Sequence, residues 1–157
     1  MERRRARIGV EMGLPIVRAM ITDTAIRNEL GETCQWLGNK ERRSKIKTHQ
    51  VAKVNEAAWS IARQLASVRI QYSDDRQAVI DQIKTLLKPV KFSFIYERHL
   101  GNDVTWWTYR TRALYGKGGY GYTFTEEEVF EINLAVSDIV NRLLSIELVV
   151  DELPEEE

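Results

Sequence analysis

A single cysteine and two histidines in 157 residues leave little material for disulfides or metal sites. Cys34 cannot close an internal disulfide and has no metal-ligand spacing around it, which fits a reducing compartment. His49 and His99 stand far apart in the chain, so neither a metal nor a cofactor is expected, and a lone histidine at a helix start or in a turn is ordinarily a capping or surface group. Gly116-Lys-Gly-Gly119 lacks the spacing and the strand-to-helix setting of a phosphate loop. No run of about 18 uncharged apolar residues occurs, and the arginine-rich start leads into no continuous apolar stretch. A membrane span and a secretory signal are therefore not expected, and the expected location is cytoplasmic. With no nucleophile, base and orienting group at a recognisable spacing, the chain reads as a non-enzyme.

Net charge is missing as well, but the zero is a cancellation. Residues 1–50 and 51–120 each carry eleven Lys/Arg against six Asp/Glu, and residues 121–157 carry one against eleven, giving +5, +5 and −10. A basic body can hold a polyanion, whereas the acidic end from Asp151 reads as a solvated terminus.

What is present is a repeat. From Thr125 to about Val150, Val129, Ile132, Val136, Ile139, Leu143 and Ile146 alternate three and four apart, which predicts one buried side of a long helix. Seventy-eight residues earlier the series returns as Val51, Val54, Ala58, Ile61, Leu65 and Val68, with Asn55/Asn133, Ala57/Ala135 and Ser67/Ser145 identical in register. Upstream the offset becomes 70, pairing Leu30-Gly31 with Leu100-Gly101, Trp36 with Trp106 and Arg42 with Arg112. Extra residues in the Gly/Tyr stretch account for the change and suggest a hairpin or loop at 115–124. Such periodic self-similarity constrains the fold more than composition does.

The remaining elements come from local chemistry. Pro15 fits a first helical turn, so a short helix is expected to begin near Leu14, with a helix or arm before it. Thr22 or Asp23 can cap a helix ended by Gly31, and Thr33 can cap the next. Thr48 to Ile70 is expected as the first long helix. Ser73 can cap a helix from Asp74 to about Lys88, where Pro89 stops it. Phe92 to Leu100 reads as helix by register with Ile21 to Leu30, although its aromatics also suit a strand. Thr125-Glu126-Glu127-Glu128 is a capping box.

Helix, leucine-glycine turn and a second helix anchored by Trp36 and Leu37, or by Trp107, resembles the helix-turn-helix of small phage repressors and mobile-element regulators, over about twenty residues per copy. The chain departs from that pattern at Arg27 and Glu97, where the family has a small residue, and at Glu32 and Asn102. The resemblance implies outward positions at Cys34, Gln35, Asn39 and Lys40, with Arg42, Arg43, Lys45 and Lys47 beyond them for phosphates. In the second copy it implies Thr105, Thr108, Tyr109, Arg110 and Arg112, with Lys117 just beyond.

The expected fold is all-α, with two tandem helix-turn-helix-like units at 1–72 and 73–157, each closed by a long amphipathic helix. The two stripes can pack across a pseudo-twofold axis, so that one chain imitates a dimer. The function this implies is a DNA-binding transcriptional regulator acting on double-stranded DNA. The alternative is a phage or mobile-element accessory protein, for example an inhibitor of a host protein, that grips a protein partner through the same units and its acidic C-terminal helix. A homo-oligomer is compatible with either.

Overall fold

A computed structural model describes residues 5–31, 47–111 and 122–150. In chain order these residues form β1 (Ala6–Gly9), α1 (Val10–Met20), α2 (Asp23–Leu30), α3 (Thr48–Leu65), α4 (Arg76–Leu86), a π-helix (Phe94–His99), α5 (Val104–Thr111), α6 (Glu126–Ser145) and β2 (Ile146–Val149). The fold is mostly helical. Among the described residues, no helix is long and apolar enough to cross a membrane.

The two long helices bury equivalent residues. Val51, Val54, Ala57, Ala58, Ile61, Ala62 and Leu65 of α3 are buried, and so are Val129, Ile132, Ala135, Val136, Ile139, Val140 and Leu143 of α6, each 78 positions later. The helices pack on each other within one apolar core that draws on both halves of the chain. The two aligned stripes find each other as the periodicity implies.

Polar contacts repeat with the same shift and cross over between halves. Asn55 of α3 donates from Nδ2 to Leu148 O and accepts from Leu148 N, both at 2.8 Å. Asn133 of α6 does the same for Ile70, at 2.9 and 2.8 Å. Each asparagine thus clasps the segment just after the other long helix. The Ser60 hydroxyl bonds Glu29, and Gln64 reaches both of them at 3.4 and 3.3 Å. At the matching positions His99 meets Asp138 at 2.9 Å, and Arg142 donates to Asp138 at 2.7 Å.

At the junction of the halves, Thr22 N donates to Pro89 O at 3.0 Å and Lys91 N to Met20 O at 2.9 Å, around a bridge between Ile21 and Val90. Equating Ile21 with Val90 is a shift of 69, under which each of these bonds turns into the other. Every antiparallel bridge exchanges its bonds in this way, and here it joins the segment leading into α2 to the one leading into the second-half helix. Gly31 and Gly101 match at a shift of 70, both left-handed with φ of 71° and 63°. The one additional residue in the second half is absorbed by the π-helix Phe94–His99, whose wider turn takes in one more residue.

Several boundaries differ from the sequence reading. The last helix ends at Ser145, and Ile146–Val149 pairs in parallel with Ala6–Gly9, so the fold is not wholly α. Ile146 continues the helical spacing, but Ile146, Leu148 and Val150 also alternate, and the clasp on Leu148 favours the extended form. α1 begins at Val10, not near Leu14, with Pro15 inside it. Burial of Val10, Gly13, Leu14, Val17 and Met20 along one side outweighs the backbone bond that proline removes. α3 stops at Leu65, and Ile70 beyond it is held by Asn133. α4 starts at Arg76 under Asp75, which accepts from Gln77 N at 3.1 Å; Ser73 only supports Asp75. Phe92 to His99 is helical, as its register implies. Thr22 caps α2 and the Thr125–Glu128 box caps α6. The suggested hairpin lies largely outside the described residues.

Ile139 and Leu143 are both 0% exposed, so truncating either to alanine is expected to cost about 2–5 kcal/mol in denaturant unfolding. Asn55→Ala leaves a buried N–H and C=O without partners and should cost about 2–4 kcal/mol in the same measurement. Asn133→Ala should cost less, because its clasp is only part-buried. Equal, near-zero losses at both asparagines would contradict the clasp.

Candidate nucleic-acid interface

A left-handed glycine ends the Ile21-led helix and makes the turn after the Val90-led one. α2 ends with Gly31 N donating to Arg27 O at 2.9 Å in the left-handed conformation that side-chain-bearing residues avoid. In the second half Leu100 N donates to Ile95 O at 3.0 Å and Asn102 N to Tyr96 O at 2.7 Å, and Gly101 makes the turn. Asp103 Oδ1 then accepts from Trp106 N at 2.9 Å and starts α5.

Trp107 holds α5 back against the preceding helix, as its spacing suggests. It is 5% exposed, with ring centroids 5.3 Å from Phe92, 5.7 Å from Tyr96 and 5.5 Å from Phe124. Tilted and edge-on aromatic contacts of this kind add to the burial of area. With that side inward, Thr105, Thr108 and Tyr109 are exposed.

Arg110 departs from the sequence reading. It is half-buried, with its guanidinium 3.9 Å from the Trp106 ring centre and Nε 3.8 Å from Glu128 Oε1. Cation–π attraction and the Glu128 charge draw it onto the fold, so little of its charge is offered outward. Tyr109 stacks on Tyr122 at 5.7 Å, which fixes one face of its ring. Arg76, unsuspected from sequence, ties this corner together by donating to Tyr122 O at 2.8 Å and to Tyr109 O at 3.2 Å. No local pattern announces a contact made across 33 and 46 residues.

In the first half, Lys47 is exposed just before α3, and its N–H donates to Gln50 Oε1 at 2.9 Å. Cys34, Gln35, Asn39, Lys40, Arg42, Arg43 and Lys45 lie outside the described residues, as do Arg112 and Lys117. At Arg27, where helix-turn-helix proteins keep a small residue, Nε is buried without a hydrogen bond; Glu97 at the matching place is exposed.

Ion pairs brace helices in both halves. Arg18 binds Asp23 through Nε and Nη2, each at 2.8 Å, locking the start of α2. These bonds hold the Asp23 carboxyl below the usual carboxylate range against the opposing pull of burial, and raise Arg18. Burial pushes the Asp138 carboxyl up, but bonds and charge from Arg142 and His99 outweigh it, and it too sits low. Among the described residues no group of three His, Cys, Asp or Glu is placed to hold a metal. Set against protein-family models, curated proteins and solved structures, the chain matches none.

A carboxylate lowered by folding contributes stability that is complete above its unfolded value, near 3.8 for Asp23, and fades as pH falls through the lower folded value. The stability difference between the parent and Asp23→Asn should thus be constant from pH 7 to about 5 and shrink below about 4. Urea melts across that range check it; a difference that persists undiminished at pH 2 would contradict the ion pair.

Proposed function

We propose that the chain is a DNA-binding regulator in which two helix-turn-helix motifs within one polypeptide act as a pseudo-dimer. The observation that carries this reading is the reciprocal relation of the halves, each bearing a helix closed by a left-handed glycine. Homodimeric repressors present two recognition helices about 34 Å apart to successive major grooves, and a fused pair has the same symmetry to offer. In this reading the Gln35 and Asn39 amides and the Thr105 and Thr108 hydroxyls read base edges. Lys40, Arg42, Arg43, Lys45, Lys47, Arg112 and Lys117 meet phosphates, with Arg110 a lesser contributor because it is held by Trp106 and Glu128. The excess of basic residues before residue 121 supports the same partner.

A specific observation favours the second reading, docking of a protein partner by an accessory protein of a phage or mobile element. Phe130 and Leu134, 56% and 43% exposed, sit one turn apart on the outward side of α6, beyond the exposed Glu126 and Glu127. An acidic, apolar helix face suits a basic partner surface.

Titration of duplex DNA at several salt concentrations separates the two. With about four to six phosphate contacts, affinity should fall with a log–log slope near −0.9 per contact. Arg42→Ala/Arg43→Ala should flatten the slope by about two contacts, whereas Asn39→Ala should alter base preference and leave it unchanged. No binding by the parent at low salt would overturn the DNA reading and leave the protein partner.

A further inference from the structure

α1 is apolar on both sides. Its inner side is core, while Met12, Pro15, Ile16 and Ala19 form an outward stripe at spacings of three, one and three, all exposed, with Met12 at 77%. An exposed apolar stripe opposite a buried one marks a surface that is normally covered.

The other half supplies an internal comparison. Under the shift of 69 that equates Ile21 with Val90, the stripe maps onto Asp81, Lys84, Thr85 and Lys88, which are likewise exposed. Val10 and Leu14 map onto Val79 and Ile83, buried in both helices. At four equivalent places on the outside, one copy carries side chains suited to water and the other carries none. At these four places the two copies part in polarity and not in exposure.

We propose that this face is the contact of a homodimer, with α1 packed antiparallel against α1 of a second copy. The stripe is complementary to its own reversal. With the axis between Pro15 and Ile16, Met12 faces Ala19 of the partner chain and Pro15 faces Ile16, so each larger residue meets a smaller one. Glu11 and Arg18 lie on the same flank of the stripe, and the axis brings Glu11 of each copy toward Arg18 of the other, whose guanidinium is held by Asp23 of its own chain. An isologous contact of this type closes after two chains. Four side chains bury well under the roughly 800 Å² per partner of a standard interface, so dissociation in the range of tens of micromolar is expected. The contact does not depend on DNA binding.

The test is sedimentation equilibrium of the full chain from about 5 to 500 µM, a range spanning the expected midpoint. The parent should pass from one-chain to two-chain mass, and the variant carrying the counterpart residues, Met12→Asp, Pro15→Lys, Ile16→Thr and Ala19→Lys, should remain a monomer with an unchanged circular dichroism spectrum. Met12→Asp alone, at the most exposed position, serves if the quadruple variant unfolds. Register is read separately in a Cys34→Ser background: Met12→Cys with Ala19→Cys should oxidise to a covalent dimer, and Met12→Cys alone should not. The two sites within one helix, about 10 Å apart, are too distant to bridge. A parent that stays monomeric throughout, a surface variant that dimerises like the parent, or a cross-link through Met12→Cys alone would each overturn the proposal.

Discussion

Backbone that leaves a helix must find new partners for its N–H and C=O groups, and in this chain a side-chain amide from the opposite half supplies them. The Asn55 amide satisfies both groups of Leu148, and the Asn133 amide both groups of Ile70. A primary amide carries a donor and an acceptor on one carbon, so a single side chain can imitate a neighbouring strand for one residue. Because each asparagine sits on one long helix and grips the extended residues beyond the end of the other, neither half completes its hydrogen bonding alone. Apolar packing between α3 and α6 and the two clasps therefore impose the same pairing of halves.

The same need is met differently on the outer side of each clasped segment. After α6, β1 lies alongside β2, and Gly13 allows α1 to approach so closely that a methyl there would collide with Leu148 Cδ2. After α3, no strand lies beside Gln71 among the described residues; its N–H and C=O are taken by Gln82 at 2.7 and 3.0 Å. Gln82 is the counterpart of Gly13 under the shift of 69. Where the first copy removes a side chain to admit a strand, the second uses a side chain in the strand's place. Trp59 closes the remaining edge of β2 by donating Nε1–H to Ile146 O at 3.0 Å, beneath the Arg5 guanidinium.

Local and distant causes divide the features legible in the chain from those that are not. The interior stripes, the capping box at Thr125, the glycine turns and the Trp107 anchor are set by residues within a few positions of each other, so spacing reveals them. β2 is concealed because four residues make too short an alternation, and Ile146 satisfies the helical spacing as well. The π-helix appears in sequence only as a shift of 69 becoming 70. The inward turn of Arg110 escapes spacing because Glu128 and Trp106 decide its direction, and Arg76 escapes it because its acceptors are backbone carbonyls far along the chain. Of the candidate reading surface, only the α5 portion and Lys47 fall in the described residues, and there the outward placement of Thr105, Thr108 and Tyr109 results from burying Trp107.

A fused pair of halves has a freedom that a homodimer lacks. In a homodimer each substitution appears twice, so an exterior change must suit both copies. Here interior pairs stay alike, such as Ile61 with Ile139 and Leu65 with Leu143, while exterior pairs part: Met12 against Asp81, Ile16 against Thr85, Phe130 against Ala52, Leu134 against Glu56. The brace at each corner diverges too, Glu29 with Ser60 on one side and His99 with Asp138 on the other. Since the buried surfaces already account for the pairing of the halves, the apolar residues acquired on one exterior only are not needed to hold the fold together. Partner contacts are therefore to be sought where the two copies differ, on α1 and α6.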